Sequence, residues 1–405
     1  MIQIFNDTFK THVIKLYSSV EFDIKTETTR RMMTKLMNRV SPNYANRQSF
    51  MNALEMYYGS SVSTSSGVLG NQALFTSTIR LISGHLVNEP QLLEDVLKFA
   101  IHDIFEQAFD NEVLFEQEKS VLLHEYKTLS NHKMQYANVK FKEALYEGHS
   151  EHVPLQTLID TLEHVTLENV RTYYHEIFLN APKIVFATGP FKDVEHALIR
   201  KTFERYVKQD IKVNHERIAL RSFKDVHTTL DVEQAMLHIV YHLPIYRDDK
   251  DHIPAHLMTM ILGYHGDSRL FRIVREDLGL CYMIQNQYQD DKGYMVIFTG
   301  VDHSTQDEAI QAIKNVVESM KDGITDKELR DAKQALIHQI TSNLDKQTAH
   351  IDRAFREHIY GKKYDLTERL KHIELVTKDD IKRVAEALNL MLIHRTIGAS
   401  YAKNN

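Results

Sequence analysis

The chain has 405 residues, of which 43% are hydrophobic, and 49 basic against 55 acidic side chains give a formal net charge of −6. This length is too great for one ordinary core and predicts two large domains, and the apolar content excludes a disordered chain. Basic and acidic residues are mixed along the chain, which argues against nucleic acid as a partner.

The first residues and the cysteine content indicate a compartment. Residues 1–7 show no basic segment followed by an apolar run, so no signal peptide is predicted. No run of about 18 apolar residues occurs, so we expect no membrane span. The single cysteine, Cys281, excludes an internal disulfide and fits the reducing cytoplasm. Phosphate-binding glycine loops and serine elbows are also missing from the sequence.

Periodicity and breaker residues predict the elements of the first half of the chain. A break is expected at Ser41-Pro42-Asn43. Strands are predicted at 10–20, 61–66, 73–82 and 183–189. Helices are predicted at 25–40, 45–58, 90–109, 112–131, 134–146, 166–178 and 192–206.

The second half follows the same order of elements. Thr325 and Glu328 form a capping box that opens a long helix, and Thr377 caps the last helix. Strands are predicted at 234–243, 281–288, 292–301 and 394–400. Helices are predicted at 253–262, 268–278, 304–320 and 325–344, with further helix to 360.

Sequence matches between the two halves keep a nearly constant offset. Leu122-Leu-His-Glu125 matches Leu336-Ile-His-Gln339, 214 residues further on. Tyr146 matches Tyr360 at an offset of 214, and Val165-Thr166 matches Val376-Thr377 at an offset of 211. Phe50, Glu55 and Gly59 match Phe271, Glu276 and Gly279 at offsets of 221, 221 and 220. This offset predicts two tandem copies of one α+β domain. We expect domains at 1–207 and 223–405 and a linker at 208–222.

The most specific stretch of the sequence is 263–283, which predicts a loop, a short helix, a stop at Gly279 and a strand. This order of elements places the guanidinium of Arg275, at the end of the helix, beside the hydroxyl of Tyr282, at the start of the strand. A fixed cation next to a phenol suits the binding of a carbonyl or an oxyanion. The alternative is a surface arginine and a half-buried strand tyrosine.

The run Ser268-Arg-Leu-Phe, Val274-Arg-Glu and Leu280-Cys-Tyr282 resembles the second-domain signature of the pitrilysin/insulinase family of zinc peptidases. The resemblance covers essentially the whole chain. It implies an α+β fold with two tandem homologous domains, each an antiparallel sheet covered by helices, forming a clamshell around a central chamber. It also implies that Arg275 and Tyr282 are substrate-binding residues that hold the substrate carbonyl and the oxyanion.

The zinc motif of that family, H-x-x-E-H, is not kept in this sequence. In the motif, two histidines one helical turn apart bind zinc, the glutamate polarises a water, and a glutamate from a later helix is the third ligand. The matching place here is Arg31-Met-Met-Thr34-Lys35. Glu125 resembles the third ligand and is interpreted as a remnant or as a salt-bridge partner, for instance of Lys35. No metal and no catalytic residue is therefore expected in this chain.

Other histidines offer weaker metal sites. His149-Ser-Glu151-His152, before Pro154, is the best alternative for a structural metal. His124-Glu125 does not form H-E-x-x-H, because Thr128 stands where the second histidine would be. Solvated histidines are the preferred explanation of both.

The resemblance implies a non-catalytic, zinc-less subunit of a heteromeric zinc metallopeptidase that processes peptides or propeptides in the cytoplasm. In bacterial and organellar members, one subunit can carry H-x-x-E-H while the other carries the arginine and tyrosine. The expected partner is a homologous H-x-x-E-H subunit, and zinc is expected only there. The main alternative is an inactive homologue that acts as a structural or peptide-binding scaffold; a self-sufficient peptidase with another metal site is a third. Whether the isolated chain forms a homodimer is left open.

Overall fold

A computed structural model describes residues 1–39, 44, 46–214, 216–264, 266–363 and 365–398. The predicted break at 41–43 lies outside these residues. Contacts divide the chain into two compact units, the first built from residues 1–127, 153–214 and 343–363 and the second from the rest of the described chain. Within the described residues, we find no helix with both the length and the apolar character that a membrane crossing requires.

Each unit contains one five-stranded sheet. In the first unit the strand order is β1-β5-β2-β4-β3, and in the second it is β6-β10-β7-β9-β8. If the strands of each unit are numbered from its start, the two orders are the same. The strands are β1 (Ile2–Asn6), β2 (Thr11–Glu21), β3 (Ser61–Leu69), β4 (Gln72–Ile82), β5 (Lys183–Gly189), β6 (Lys224–Leu230), β7 (Ala235–His242), β8 (Cys281–Gln289), β9 (Tyr294–Val301) and β10 (Asn389–Gly398).

Helices cover both sheets, so the predicted α+β class is confirmed. The helices are α1 (Glu27–Met37), α2 (Arg47–Met56), α3 (Leu92–Phe105), α4 (Glu112–Lys127), α5 (Lys133–Leu145), α6 (Leu155–His164), α7 (Leu167–Thr172), α8 (Asp193–Phe203), α9 (His252–Gly263), α10 (Gln306–Glu318), α11 (Asp326–Leu344), α12 (Gln347–Tyr360), α13 (Leu366–Leu375) and α14 (Lys378–Glu386). Two π-helical segments are Tyr173–Phe178 and Phe271–Asp277.

One edge of each sheet differs from the predicted antiparallel arrangement. Strand β1 pairs with β5 in parallel, and β6 pairs with β10 in parallel, whereas the other pairs are antiparallel. Neither β1 nor β6 was predicted. Both are short edge strands without a fully buried face, so their sequences carry little of the apolar alternation that marks a strand.

Each half of the chain also contributes a helix to the sheet of the other half. Helix α12 packs on the first sheet, where Phe355 stacks on Tyr17 with ring centroids 4.1 Å apart. Helix α5 packs on the second sheet, where Phe141 stacks on His238 at 4.3 Å. The central strands are therefore covered on both faces, and every residue of β5 is buried. The predicted domain boundaries at residues 207 and 223 concern the repeated sequences. They stay a prediction, because each compact unit is built from several separate segments of the chain.

Candidate functional site

The stretch 268–283 folds much as its sequence predicts, with one difference. The helix is π-helical over Phe271–Asp277, so its turns are wider than those of the expected α-helix. Gly279 has φ +62°, the left-handed conformation that ends a helix without strain only at glycine or asparagine. Strand β8 then begins at Cys281 and shows a register irregularity between Cys281 and Ile284. This irregularity includes Tyr282.

Arg275 and Tyr282 lie next to each other at the junction of the π-helical segment and β8. The guanidinium carbon of Arg275 lies 5.2 Å from the ring centroid of Tyr282 and 4.2 Å from that of Phe271. The cation thus lies over both rings, where the expectation was a position beside the Tyr282 hydroxyl. Tyr282 is 82% exposed, an unusual state for a large aromatic residue. The pair presents a permanent cation and a phenol to any molecule that reaches this surface.

A residue that the sequence analysis did not single out, Arg269, fixes the start of this segment. Its Nε and Nη2 donate to Glu328 at 2.7 and 3.1 Å, its Nη1 donates to the Ser319 carbonyl at 3.0 Å, and its Nη2 also donates to the Gly323 carbonyl at 2.9 Å. Glu328 also completes the predicted capping box with Thr325. Arg269 is therefore a positioning residue for the segment that carries Arg275.

Cations and ion pairs occupy the place of the family's zinc motif on α1. Arg31 Nε donates to Glu27 at 2.6 Å, and its Nη1 donates to the Tyr126 hydroxyl at 3.2 Å. The Thr34 hydroxyl bonds to backbone carbonyls of its own helix, including that of Arg30 at 3.1 Å. Neither Thr34 nor the two cations can serve as a zinc ligand or as a carboxylate base.

Lys35 takes the place of the metal as the partner of the acidic helix α4. Its ammonium lies 3.3 Å from Glu125 and 3.6 Å from Glu118, and Arg39 lies 3.1 Å from Glu118. The ion pair that the sequence suggested between Lys35 and Glu125 is present. Zinc does not fit these residues, because two cations already neutralise the carboxylates and no histidine stands on this face of α1.

The alternative histidine cluster in the loop after α5 is engaged in other contacts. His149 Nε2 lies 3.4 Å from the Glu216 carbonyl oxygen, and Glu151 forms an ion pair with Lys292. Among the described residues, the group whose donor atoms converge as metal ligands do is a different one, His252, His256 and Asp290. The sequence signal for it was the spacing of the two histidines by four residues at the start of a predicted helix.

Comparisons with known proteins show which family and which relatives this chain resembles. A family model described as peptidase M16 inactive domain matches residues 164–336. The Bacillus subtilis protein named probable inactive metalloprotease YmfF is 21% identical over 375 residues, which cover 90% of this chain and 87% of that protein. This chain is a homologue of the M16 peptidases.

Two solved structures show the same fold as this M16 homologue. A conserved protein from Enterococcus faecalis superposes with a TM-score of 0.89 at 21% identity, covering 98% of this chain and 96% of that one. A peptidase M16 inactive domain from Pseudomonas fluorescens gives a TM-score of 0.79 at 16% identity, covering 98% and 95%. At these identities, the two structures show that the fold is shared.

Proposed function

We propose that this chain is the non-catalytic subunit, without a catalytic zinc, of a two-subunit metallopeptidase that processes peptides or propeptides in the cytoplasm. A homologous partner with an intact H-x-x-E-H motif supplies zinc and the general base. This chain supplies Arg275 and Tyr282, which bind the substrate carbonyl and the oxyanion of the tetrahedral intermediate. The single cysteine supports the cytoplasmic assignment.

The proposal rests on the contrast between two places in the chain, the one that matches the zinc motif and the one that holds Arg275 and Tyr282. The place of the zinc motif is filled by cations that exclude a metal, whereas Arg275 and Tyr282 remain adjacent and Tyr282 is 82% exposed. A solvent-exposed tyrosine held against an arginine adds little to folding stability. Its exposure is explained if a substrate binds to it.

The chemistry required of the pair is electrostatic. Peptide hydrolysis places negative charge on the carbonyl oxygen of the substrate, and a fixed guanidinium and a phenol O–H stabilise that charge by hydrogen bonds. Neither group needs to gain or lose a proton, so both work across the neutral pH range. Water activation is left to the zinc of the partner.

Reconstitution tests the proposal. The chain is purified from its native cell with its bound proteins, the H-x-x-E-H homologue is identified, and both are then prepared separately. We expect cleavage of a mixed peptide library only when both chains are present. Cleavage by the zinc-bearing chain alone at the full rate would contradict the shared site.

A second candidate function is a structural or peptide-binding scaffold. The name of the Bacillus subtilis relative, probable inactive metalloprotease, favours it. The same reconstitution separates the two functions, because a scaffold binds peptide or a partner without any turnover. Peptide binding by the chain that neither speeds cleavage nor depends on Arg275 would favour the scaffold.

A further inference from the structure

Three side chains of the second unit converge at the N-terminus of α9. His252 and His256 stand one turn apart on this helix, and Asp290 lies in the turn between β8 and β9. His252 Nε2 lies 2.7 Å from Asp290 Oδ2 and 3.1 Å from His256 Nε2, and the distance from His256 Nε2 to Asp290 Oδ2 is 3.6 Å. His252 and Asp290 are buried and His256 is partly exposed.

These distances suit a tetrahedral metal ion. Ligand atoms bound to zinc at about 2.0–2.1 Å lie about 3.3 Å apart in a tetrahedral site. The three separations observed here scatter around that value, so an ion at their centre needs only small shifts of the side chains. Two imidazole nitrogens and one carboxylate oxygen are also a donor set that zinc prefers.

Arg247 orients the Asp290 carboxylate by binding the oxygen that does not contact the histidines. Its Nη2 donates to Asp290 Oδ1 at 2.7 Å, so that Oδ2 is the oxygen turned towards the histidines. Partners of this kind, which hold the second oxygen of a ligating carboxylate, fix the orientation of metal ligands. In a metal-free network both Nε2–H groups would donate to Asp290 Oδ2, and the two donor nitrogens would then face each other at 3.1 Å with no acceptor between them.

The position of the two histidines in the sequence repeat also supports a metal site. His252, Ala255 and His256 stand 221 residues after Arg31, Thr34 and Lys35, the offset that also separates Phe50 from Phe271. The second repeat thus carries two histidines at the spacing that the first repeat fills with cations. The place between them holds Ala255, which cannot act as a base.

We propose that His252, His256 and Asp290 bind a zinc ion that clamps the start of α9 to the β8–β9 turn. Three protein ligands leave the fourth position to solvent, and the partly exposed His256 gives the ion a route of entry. The inference does not rest on the proposed peptidase role, because it concerns metal binding by this chain alone.

The test is zinc binding by the full chain after treatment with a chelator and dialysis. Isothermal titration with ZnCl₂ and elemental analysis should show one zinc per chain. His256→Ala should weaken binding roughly 100-fold or more, since even the loss of an outer-shell partner costs 10–100-fold. Cobalt in place of zinc should give the intense visible bands of a four-coordinate site in the native chain and not in His256→Ala.

Control variants separate the loss of a zinc ligand from the loss of any histidine or of the fold. His338→Ala removes an exposed histidine of α11 and should leave the zinc affinity unchanged. His256→Gln provides a second, milder replacement, and circular dichroism checks that both His256 variants stay folded. No stoichiometric zinc, or equal affinity in native, His256→Ala and His338→Ala chains, would overturn the proposal.

Discussion

Lys35 stabilises, with one side chain, two carboxylates on the same face of α4. Its side chain is 18% exposed, and its ammonium lies near Glu118, whose side chain is 13% exposed, and near Glu125. Two carboxylates on one helix face would repel each other without a cation between them. The lysine therefore supplies the positive charge that balances this pair.

Lys35→Met should lower the free energy of unfolding by about 1–2 kcal/mol, because mostly buried Glu118 loses a cation. Lys127→Met is a matched control. Lys127 pairs with Glu163 at 2.7 Å, but both side chains are about half exposed, 50% and 44%. Loss of this pair should leave the free energy of unfolding nearly unchanged. Urea unfolding measures both variants, and equal effects would contradict the role of Lys35.

Two buried histidines of the second unit give the protein a pH dependence. The rings of His238 and His394 have centroids 6.0 Å apart, and Phe141 stacks on the first. Burial, with a smaller effect of His394, lowers the pKa of His238 to about 3. Burial likewise lowers the pKa of His394 to about 4. Both rings stay neutral in the folded protein at pH values where an unfolded histidine is protonated.

Stability should be greatest above pH 6.5 and should fall as the pH decreases towards 4, because only the unfolded chain binds these protons in that window. At about pH 5 the loss is about 2 kcal/mol for each histidine. His238→Phe should reduce the difference in unfolding free energy between pH 8 and pH 5 by about 2 kcal/mol. Exposed His338→Phe should leave it unchanged. A full pH difference in His238→Phe would disprove the assignment.

At the scale of elements, the predicted helix of the signature was confirmed but its π-helical form was not predicted. Leu270, Ile273 and Val274 follow a spacing that favours any helix with one apolar face. Arg269, just before the π-helical segment, contacts Glu328 and the Ser319 carbonyl, which are distant in sequence. Local periodicity carries no information about such contacts, so the geometry of the site required the structure.

Arg269→Ala should destabilise the protein by about 2–4 kcal/mol, because mostly buried Glu328 loses its cation and two carbonyls each lose a charged donor. The matched control is Arg272→Ala, which removes an exposed arginine from the same segment and should change stability by less than about 0.5 kcal/mol. Chemical denaturation measures both. If the two variants were equally mild, Arg269 would not be the anchor of the segment.

At the scale of the whole molecule, the exchange of α5 and α12 joins the two halves of the sequence. The sequence repeat indicated two α+β domains, and the two sheets of identical strand order agree with it. The exchange could not be predicted, because an apolar face on α12 indicates that this face is buried but does not indicate which sheet covers it. Phe355 and Tyr17 belong to opposite halves, and only the folded structure shows them stacked.

Residues 1–214 expressed alone should expose the sheet face that α12 covers and should bind a hydrophobic dye or aggregate. A synthetic peptide of residues 343–363 should bind this fragment and reduce the dye signal, while α5, which packs on the second sheet, stays uncovered. The control peptide carries Phe355→Ala, a change that costs about 3 kcal/mol in a packed core, and should bind far more weakly. A monomeric, dye-free fragment without the peptide would contradict the structural role of α12.

In the proposed enzyme the active site is shared, with zinc on a partner and the oxyanion donors on this chain. The kcat/KM of the reconstituted complex for a peptide substrate tests this sharing. Arg275→Ala or Tyr282→Phe should lower kcat/KM roughly 100- to 1,000-fold, the loss typical of one oxyanion donor. A complex with Arg272→Ala should cleave the peptide at the normal rate. Near-normal turnover with both Arg275→Ala and Tyr282→Phe in folded, assembled complexes would contradict a shared active site.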